Sequence, residues 1–224
     1  MQEKDAHLLR SLPLLCQVAV AVRCAARVRP LAEIWPHPPE MRDALDNALA
    51  FASDVACGKL SPPAPQLGSR VQAARHAVKS PAPGLATRAI QAAFLSAEAV
   101  WLCHEAKIPE ECDRQADVVL HRTAEAMAVA TRAAGLWGIE WSHQVREEIA
   151  HDLSRLAMRS RGRVSILGLP IDPSDAGRLG KLWRHGPPPG TPGRPSEAKE
   201  PKQDCPGRVS QTDPEWSAVW RGGY

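Results

Sequence analysis

Apolar residues recur every three to four positions along most of the first 160 residues, a spacing typical of amphipathic helices. The clearest example lies between residues 39 and 57, where one face carries Met41, Leu45, Ala48, Ala52 and Val55. Gly58 follows at a position where a helix end favours a left-handed residue. The pattern therefore predicts a helix over residues 39–57 that ends at Gly58.

Five more segments carry helical spacing, and they cover residues 11–28, 69–78, 85–106, 109–134 and 140–158. The first of them is apolar on nearly every face until Arg23, so we expect it at the centre of the fold. Proline and glycine are expected to end or interrupt helices at Pro30, Pro81, Pro83 and Gly84.

The predicted fold is an all-α bundle of about six helices that occupies residues 1–160. Residues 164–169 have some strand character, but a single strand has no partner. Residues 161–185 are predicted to be irregular and docked on the bundle, through Leu179, Leu182 and Trp183. From residue 186 to residue 224 the Pro/Gly-rich composition is typical of a disordered tail, and this tail has an aromatic tip.

The six cysteines lack the spacing of a zinc or redox motif. We expect them to be free thiols, which favours a cytoplasmic location. Residues 12–22 form an apolar run that is too short to span a bilayer. A signal peptide is the alternative, but acidic residues precede the run, so a buried helix is preferred. No membrane contact is predicted.

Helix 140–158 contains a Glu-x-x-His sequence at Glu148 and His151, a pattern known from di-iron bundles. Such a site needs a second copy of the motif and further carboxylates, and the chain has no second copy. On a helical wheel His143, Glu147 and His151 point away from the apolar face. We therefore predict a solvated helix face, no metal site and no cofactor.

The same wheel places Asp152 within the apolar face of this helix. A buried carboxylate is costly without a partner, so we expect one. His104 lies on the apolar side of helix 85–106 and is a candidate partner. The two residues are weak candidates for an acid–base pair in a small-molecule or metal-dependent enzyme. The preferred interpretation is an internal hydrogen bond or an edge position that reaches water.

Charge is distributed unevenly along the chain. Residues 155–224 carry 12 Lys and Arg against 7 Asp and Glu, whereas residues 1–154 have a net charge of −2. A basic cluster of four arginines begins in the last predicted helix, and it consists of Arg155, Arg159, Arg161 and Arg163. Such a cluster suits a helix C-terminus and also contacts phosphates. Acidic residues interrupt the basic tail, so nucleic acid is the weaker alternative.

Near the C-terminus Trp216 and Trp220 are four residues apart, and Tyr224 follows after the same interval. This spacing places the rings on one face of a short helix, which suits docking into a groove of a partner protein. No nucleophile motif or phosphate-binding glycine loop is recognised. The function that the sequence favours is a non-catalytic protein–protein interaction module. The alternatives are an enzyme in the bundle core and a nucleic-acid accessory protein.

Overall fold

The structure is a computed structural model that describes residues 3–34, 36–160 and 165–188. Within these ranges all the regular secondary structure is helical and there is no strand, which confirms the predicted all-α class. The described helices are α1 (Glu3–Arg10), α2 (Leu14–Glu33), α3 (Pro39–Ala56), α4 (Leu67–Ala77), α5 (Pro81–Glu105), α6 (Pro109–Trp137) and α7 (Ile139–Ser160). The sequence pattern did not predict α1.

Helix α2 is the central helix of the bundle, as its apolar circumference predicts. Every residue from position 14 to position 25 is buried. Its neighbours are α3, α5, α6 and α7, and α5 also packs closely against α6. The core is built mainly from Ala, Val and Leu, so the helices approach one another closely.

Two predictions about prolines are wrong. Helix α2 continues through Pro30 to Glu33, although proline removes one backbone hydrogen bond. Burial of Leu31 and Ala32 beyond it compensates for this loss. Helix α5 starts at Pro81 instead of residue 85, because the first turn of a helix has no internal partners for its N–H groups.

Residues 164–169, which have some strand character in sequence, are irregular in their described part, residues 165–169. This part caps the N-terminal end of α2. The amides of Leu14 and Leu15 donate to the carbonyls of Ile166 and Leu167, both at 3.0 Å. The first N–H groups of a helix lack internal partners, and here a distant loop accepts from them. The chain after α7 is therefore fastened to the central helix.

The prediction of free thiols throughout the chain is wrong. A disulfide joins Cys103 at the end of α5 to Cys112 in the first turn of α6. Cys24 is a buried free thiol, and burial raises its pKa to about 12. The cytoplasmic location remains a prediction without this support. Among the described helices, none combines the length and hydropathy needed to cross a membrane.

Gly58 closes α3 in the left-handed conformation, with φ of +81°, which confirms the prediction from sequence. Its amide donates to the carbonyl of Val55 at 2.8 Å. A Cβ atom at this position would lie 2.7 Å from Cγ of Pro170. The position is therefore restricted to glycine by its backbone conformation and by its neighbour.

We expect Gly58→Ala to lower the free energy of unfolding by about 2 kcal/mol, because left-handed strain adds to overpacking. Gly138→Ala is the matched control, since Gly138 has φ of 176° and nothing within 4 Å of the added Cβ. Urea unfolding of both variants measures the difference. Equal losses of stability in the two variants would contradict this account.

Candidate functional site

The predicted acid–base pair does not form. Asp152 is completely buried in α7, whereas His104 is exposed near the end of α5. The main neighbours of α5 are α2, α3 and α6, whereas those of α7 are α2 and α6. The two side chains thus lie in different environments. The expectation that Asp152 has a partner is confirmed, but its partners are arginines.

Arg23 and Arg27 of the central helix bind the Asp152 carboxylate. Nε of Arg23 donates to Oδ2 at 2.9 Å, and Nη2 of Arg27 donates to the same oxygen at 2.7 Å. All three side chains are at most 1% exposed. The contact is a buried charge pair with two cations on one carboxylate.

Glu148 supplies the second carboxylate of this cluster. It lies one turn before Asp152 on α7, and its Oε2 is 4.0 Å from Nη2 of Arg27. Arg184 binds Glu148 from outside through its backbone N–H at 3.0 Å and its Nε at 3.1 Å. Two buried arginines and two buried carboxylates thus balance each other. We call Arg23, Arg27, Glu148 and Asp152 the charge cluster.

The charge cluster also holds a non-helical segment against the bundle. The Arg23 guanidinium donates to three backbone carbonyls, those of Pro173, Gly180 and Lys181, at 2.8–3.1 Å. Nε of Arg27 donates to the carbonyl of Leu182 at 3.1 Å. Residues 173–182 contain no helix or strand, and these hydrogen bonds from the arginines to backbone carbonyls hold them in place.

Burial has an electrostatic cost within this cluster. It lowers the pKa of Arg23, and the Asp152 carboxylate opposes that shift. Within the described residues, Oδ1 of Asp152 and Nη1 of Arg27 are buried without a hydrogen-bond partner. The charge cluster therefore anchors the backbone of residues 173–182 and neutralises its own buried charges. Both arginines and Oδ2 of Asp152 already bind other protein groups.

The predicted basic cluster divides between different environments. Nη1 of Arg155 donates to the carbonyl of Leu179 at 2.7 Å, so Arg155 of α7 also holds residues 173–183, which we call the anchored segment. Arg159 is exposed on the last turn of α7, whereas Arg161 and Arg163 lie outside the described residues. His143 and Glu147 are exposed, as the helical wheel predicts. Among residues 3–34, 36–160 and 165–188, no group of three His, Cys, Asp or Glu residues could hold a metal ion.

An exposed apolar surface surrounds the turn between α6 and α7, where Gly138 alone separates the two helices. Ile139 is 75% exposed, Leu136 is 57% exposed and Trp137 is 43% exposed. We call these three residues the apolar corner. Because helices flank this one-residue connection on both sides, the corner is a tight turn between two helices and not a loop.

A row of aromatic rings joins the apolar corner to the anchored segment. The rings of Trp137 and Trp141 are 6.4 Å apart, and those of Trp141 and Trp183 are 6.1 Å apart. Cζ of Arg27 lies 5.9 Å from the ring of Trp183. Farther along α7, Nε2 of Gln144 donates to the carbonyl of Gly186 at 2.7 Å. The described chain is therefore still in contact with the bundle near its end, at Gly186 beside the helix that starts at the apolar corner.

The sequence contained a signal for the charge cluster that we did not use. Arg23 and Arg27 are four residues apart on an otherwise apolar helix, and Glu148 and Asp152 have the same interval on α7. Equal spacing places each pair on one face of its helix. The two arginines and the two carboxylates have opposite charges and the same separation, so the pairs can meet when these faces pack together. The apolar corner gave no signal, because the sequence pattern predicts apolar side chains in helices to be buried. Trp216, Trp220 and Tyr224 lie outside the described residues.

The chain matches no family model, no curated protein and no solved structure.

We expect Asp152→Asn to lower the free energy of unfolding by about 3 to 5 kcal/mol. The substitution keeps the shape of the side chain but leaves Arg23 and Arg27 buried with one carboxylate less. Urea unfolding measures the loss.

The control for this prediction is Asp46→Asn, which removes an ion pair with Arg29 at 2.8 Å. Both side chains of that pair are about 40% exposed, so we expect a loss below about 1 kcal/mol. If Asp152→Asn is no more destabilising than Asp46→Asn, the charge cluster does not hold the bundle together.

Proposed function

We propose that this protein is a non-catalytic helical interaction protein that binds another protein at the apolar corner. The observation that carries the proposal is the exposure of Leu136, Trp137 and Ile139 at a one-residue turn between two helices. Contiguous exposed apolar side chains are costly in water and mark interaction sites. Asp152 also supports a non-catalytic role, since two guanidinium groups bind its carboxylate.

The occupant that fits this corner is an apolar groove on a partner protein. Leu136 and Ile139 are aliphatic side chains that fit an apolar pocket, and Trp137, which packs against Trp141, presents its exposed part beside them. A stable interface buries roughly 800 Å² on each partner, so surface around these three side chains must contribute whichever protein binds. The occupant proposed is a different protein, and a second copy of this chain is the alternative that the experiment tests.

The predicted aromatic tip of the chain is a second candidate contact with the same partner. Trp216, Trp220 and Tyr224 are linked to the bundle through the anchored residues, whose described part ends beside α7. Two linked contacts strengthen binding because the second one forms at a high effective concentration. We propose that the aromatic tip adds affinity, while the corner provides the anchor.

The first experiment places a photo-crosslinking amino acid at Glu140, which is exposed next to the corner. The full chain is irradiated in native lysate, and adducts at this position identify the partner. The partner is then purified, and its dissociation constant is measured directly. We expect Leu136→Ser/Ile139→Ser to weaken binding at least about tenfold, because each buried aliphatic side chain contributes roughly 1.5–3 kcal/mol.

The matched control is Met158→Ser/Leu169→Ser, which removes two exposed apolar side chains elsewhere. It should leave the dissociation constant unchanged. A partner that binds Leu136→Ser/Ile139→Ser with undiminished affinity contradicts the proposal, and so does an adduct that joins only two copies of this chain. A further variant, Trp216→Ala/Trp220→Ala, tests the aromatic tip separately.

A further inference from the structure

A cleft of about 310 Å³ lies between α4, α5 and α6, away from the charge cluster. Each helix contributes one arginine to it, namely Arg75, Arg88 and Arg122. Glu125 is the carboxylate that lines the same cleft. Three guanidinium groups therefore face one carboxylate, so the lining carries a net charge of +2.

Glu125 orients two of these arginines. Its Oε1 accepts a hydrogen bond from Nε of Arg88 at 2.7 Å, and Nη2 of Arg88 lies 2.6 Å from the same oxygen in an ion pair. Its Oε2 accepts from Nη1 of Arg122 at 2.8 Å. Burial alone would raise the pKa of Glu125, but the hydrogen bonds from Arg122 and Arg88 outweigh burial and lower it. Glu125 thus stays ionised at neutral pH and keeps both guanidinium groups in place.

Arg75 is positioned by a neutral group. Its Nη1 donates to Oε1 of Gln91 at 3.0 Å, and Gln91 also lines the cleft. One guanidinium is enough to neutralise the Glu125 carboxylate, so two further positive charges remain in the cleft. The additional charge is what a binding site for an anion requires.

The arginines retain donors after these contacts. A guanidinium has five N–H groups in a planar fork that matches the oxygens of phosphate and carboxylate. Arg75 and Arg122 each use one nitrogen, and Arg88 uses two. Within the described parts of the chain the other guanidinium nitrogens make no hydrogen bond to protein. Phe94 and Leu95 add an apolar wall to the cleft.

We propose that this cleft binds a small organic anion with at least two negative charges, either a phosphate monoester or a dicarboxylate. The arginines hold the anionic groups, and the wall formed by Phe94 and Leu95 contacts the carbon skeleton. The site is built from α4, α5 and the middle of α6. It is therefore independent of the apolar corner, and either proposal can fail without the other.

Isothermal titration calorimetry of the full chain tests this site at constant ionic strength. The probes are glycerol 3-phosphate and succinate, which separate phosphate monoesters from dicarboxylates. We expect saturable binding with one site per chain for at least one of these probes. Absence of saturable binding for both of them at millimolar concentrations overturns the proposal.

Two variants locate the binding. Arg75→Gln leaves no carboxylate unpaired, and Arg122→Gln leaves Glu125 in its ion pair and hydrogen bond with Arg88. Both variants should therefore stay folded, which thermal unfolding verifies. We expect each of them to weaken binding about tenfold or more, since a hydrogen bond to a charged group is lost.

The control is Arg114→Gln, which removes an equal charge from an exposed position on α6. Arg114 bonds only to the backbone of its own helix among the described residues, at the carbonyl of Glu110. The dissociation constant should be unchanged in this variant. If Arg114→Gln weakens binding as much as Arg75→Gln and Arg122→Gln do, general charge attraction explains the binding and the site is rejected.

Discussion

The rest of the structure depends on the buried contact between two arginines of α2 and two carboxylates of α7. Arg23, Arg27, Glu148 and Asp152 are all at most 1% exposed. Removing charges from water is costly, so these four are tolerated in the core only together. Other N–H groups of Arg23 and Arg27 donate to backbone carbonyls of residues 173–182. One electrostatic contact therefore orders the central helix, α7 and a segment without secondary structure.

This arrangement separates architecture from the proposed binding surfaces. The residue that sequence reasoning selected for chemistry, Asp152, is held by guanidinium groups inside the bundle. The apolar corner and the arginine-lined cleft are accessible and lie on other faces. Both involve α6, where Glu125 and Trp137 are 12 residues apart, about 18 Å along the helix axis.

Apolar spacing and the preferences of proline and glycine predicted most of the helices. They failed where tertiary contacts outweighed these local preferences. Helix α3 and its left-handed end at Gly58 follow from apolar spacing and the preference of glycine. Pro30 was expected to end α2, but burial of Leu31 and Ala32 outweighs one lost hydrogen bond. Free thiols were expected from spacing alone, yet Cys103 and Cys112 are neighbours because α5 and α6 form a tight antiparallel pair.

The sequence by itself determined the all-α class, the central position of α2 and the need of Asp152 for a partner. These follow from periodicity and from the cost of a buried charge. Only the tertiary structure decided which groups meet. Asp152 binds Arg23 and Arg27 across 129 and 125 positions of sequence, and His104 is left at the surface. Periodicity fixes the face on which a side chain lies, whereas helix packing decides what faces it.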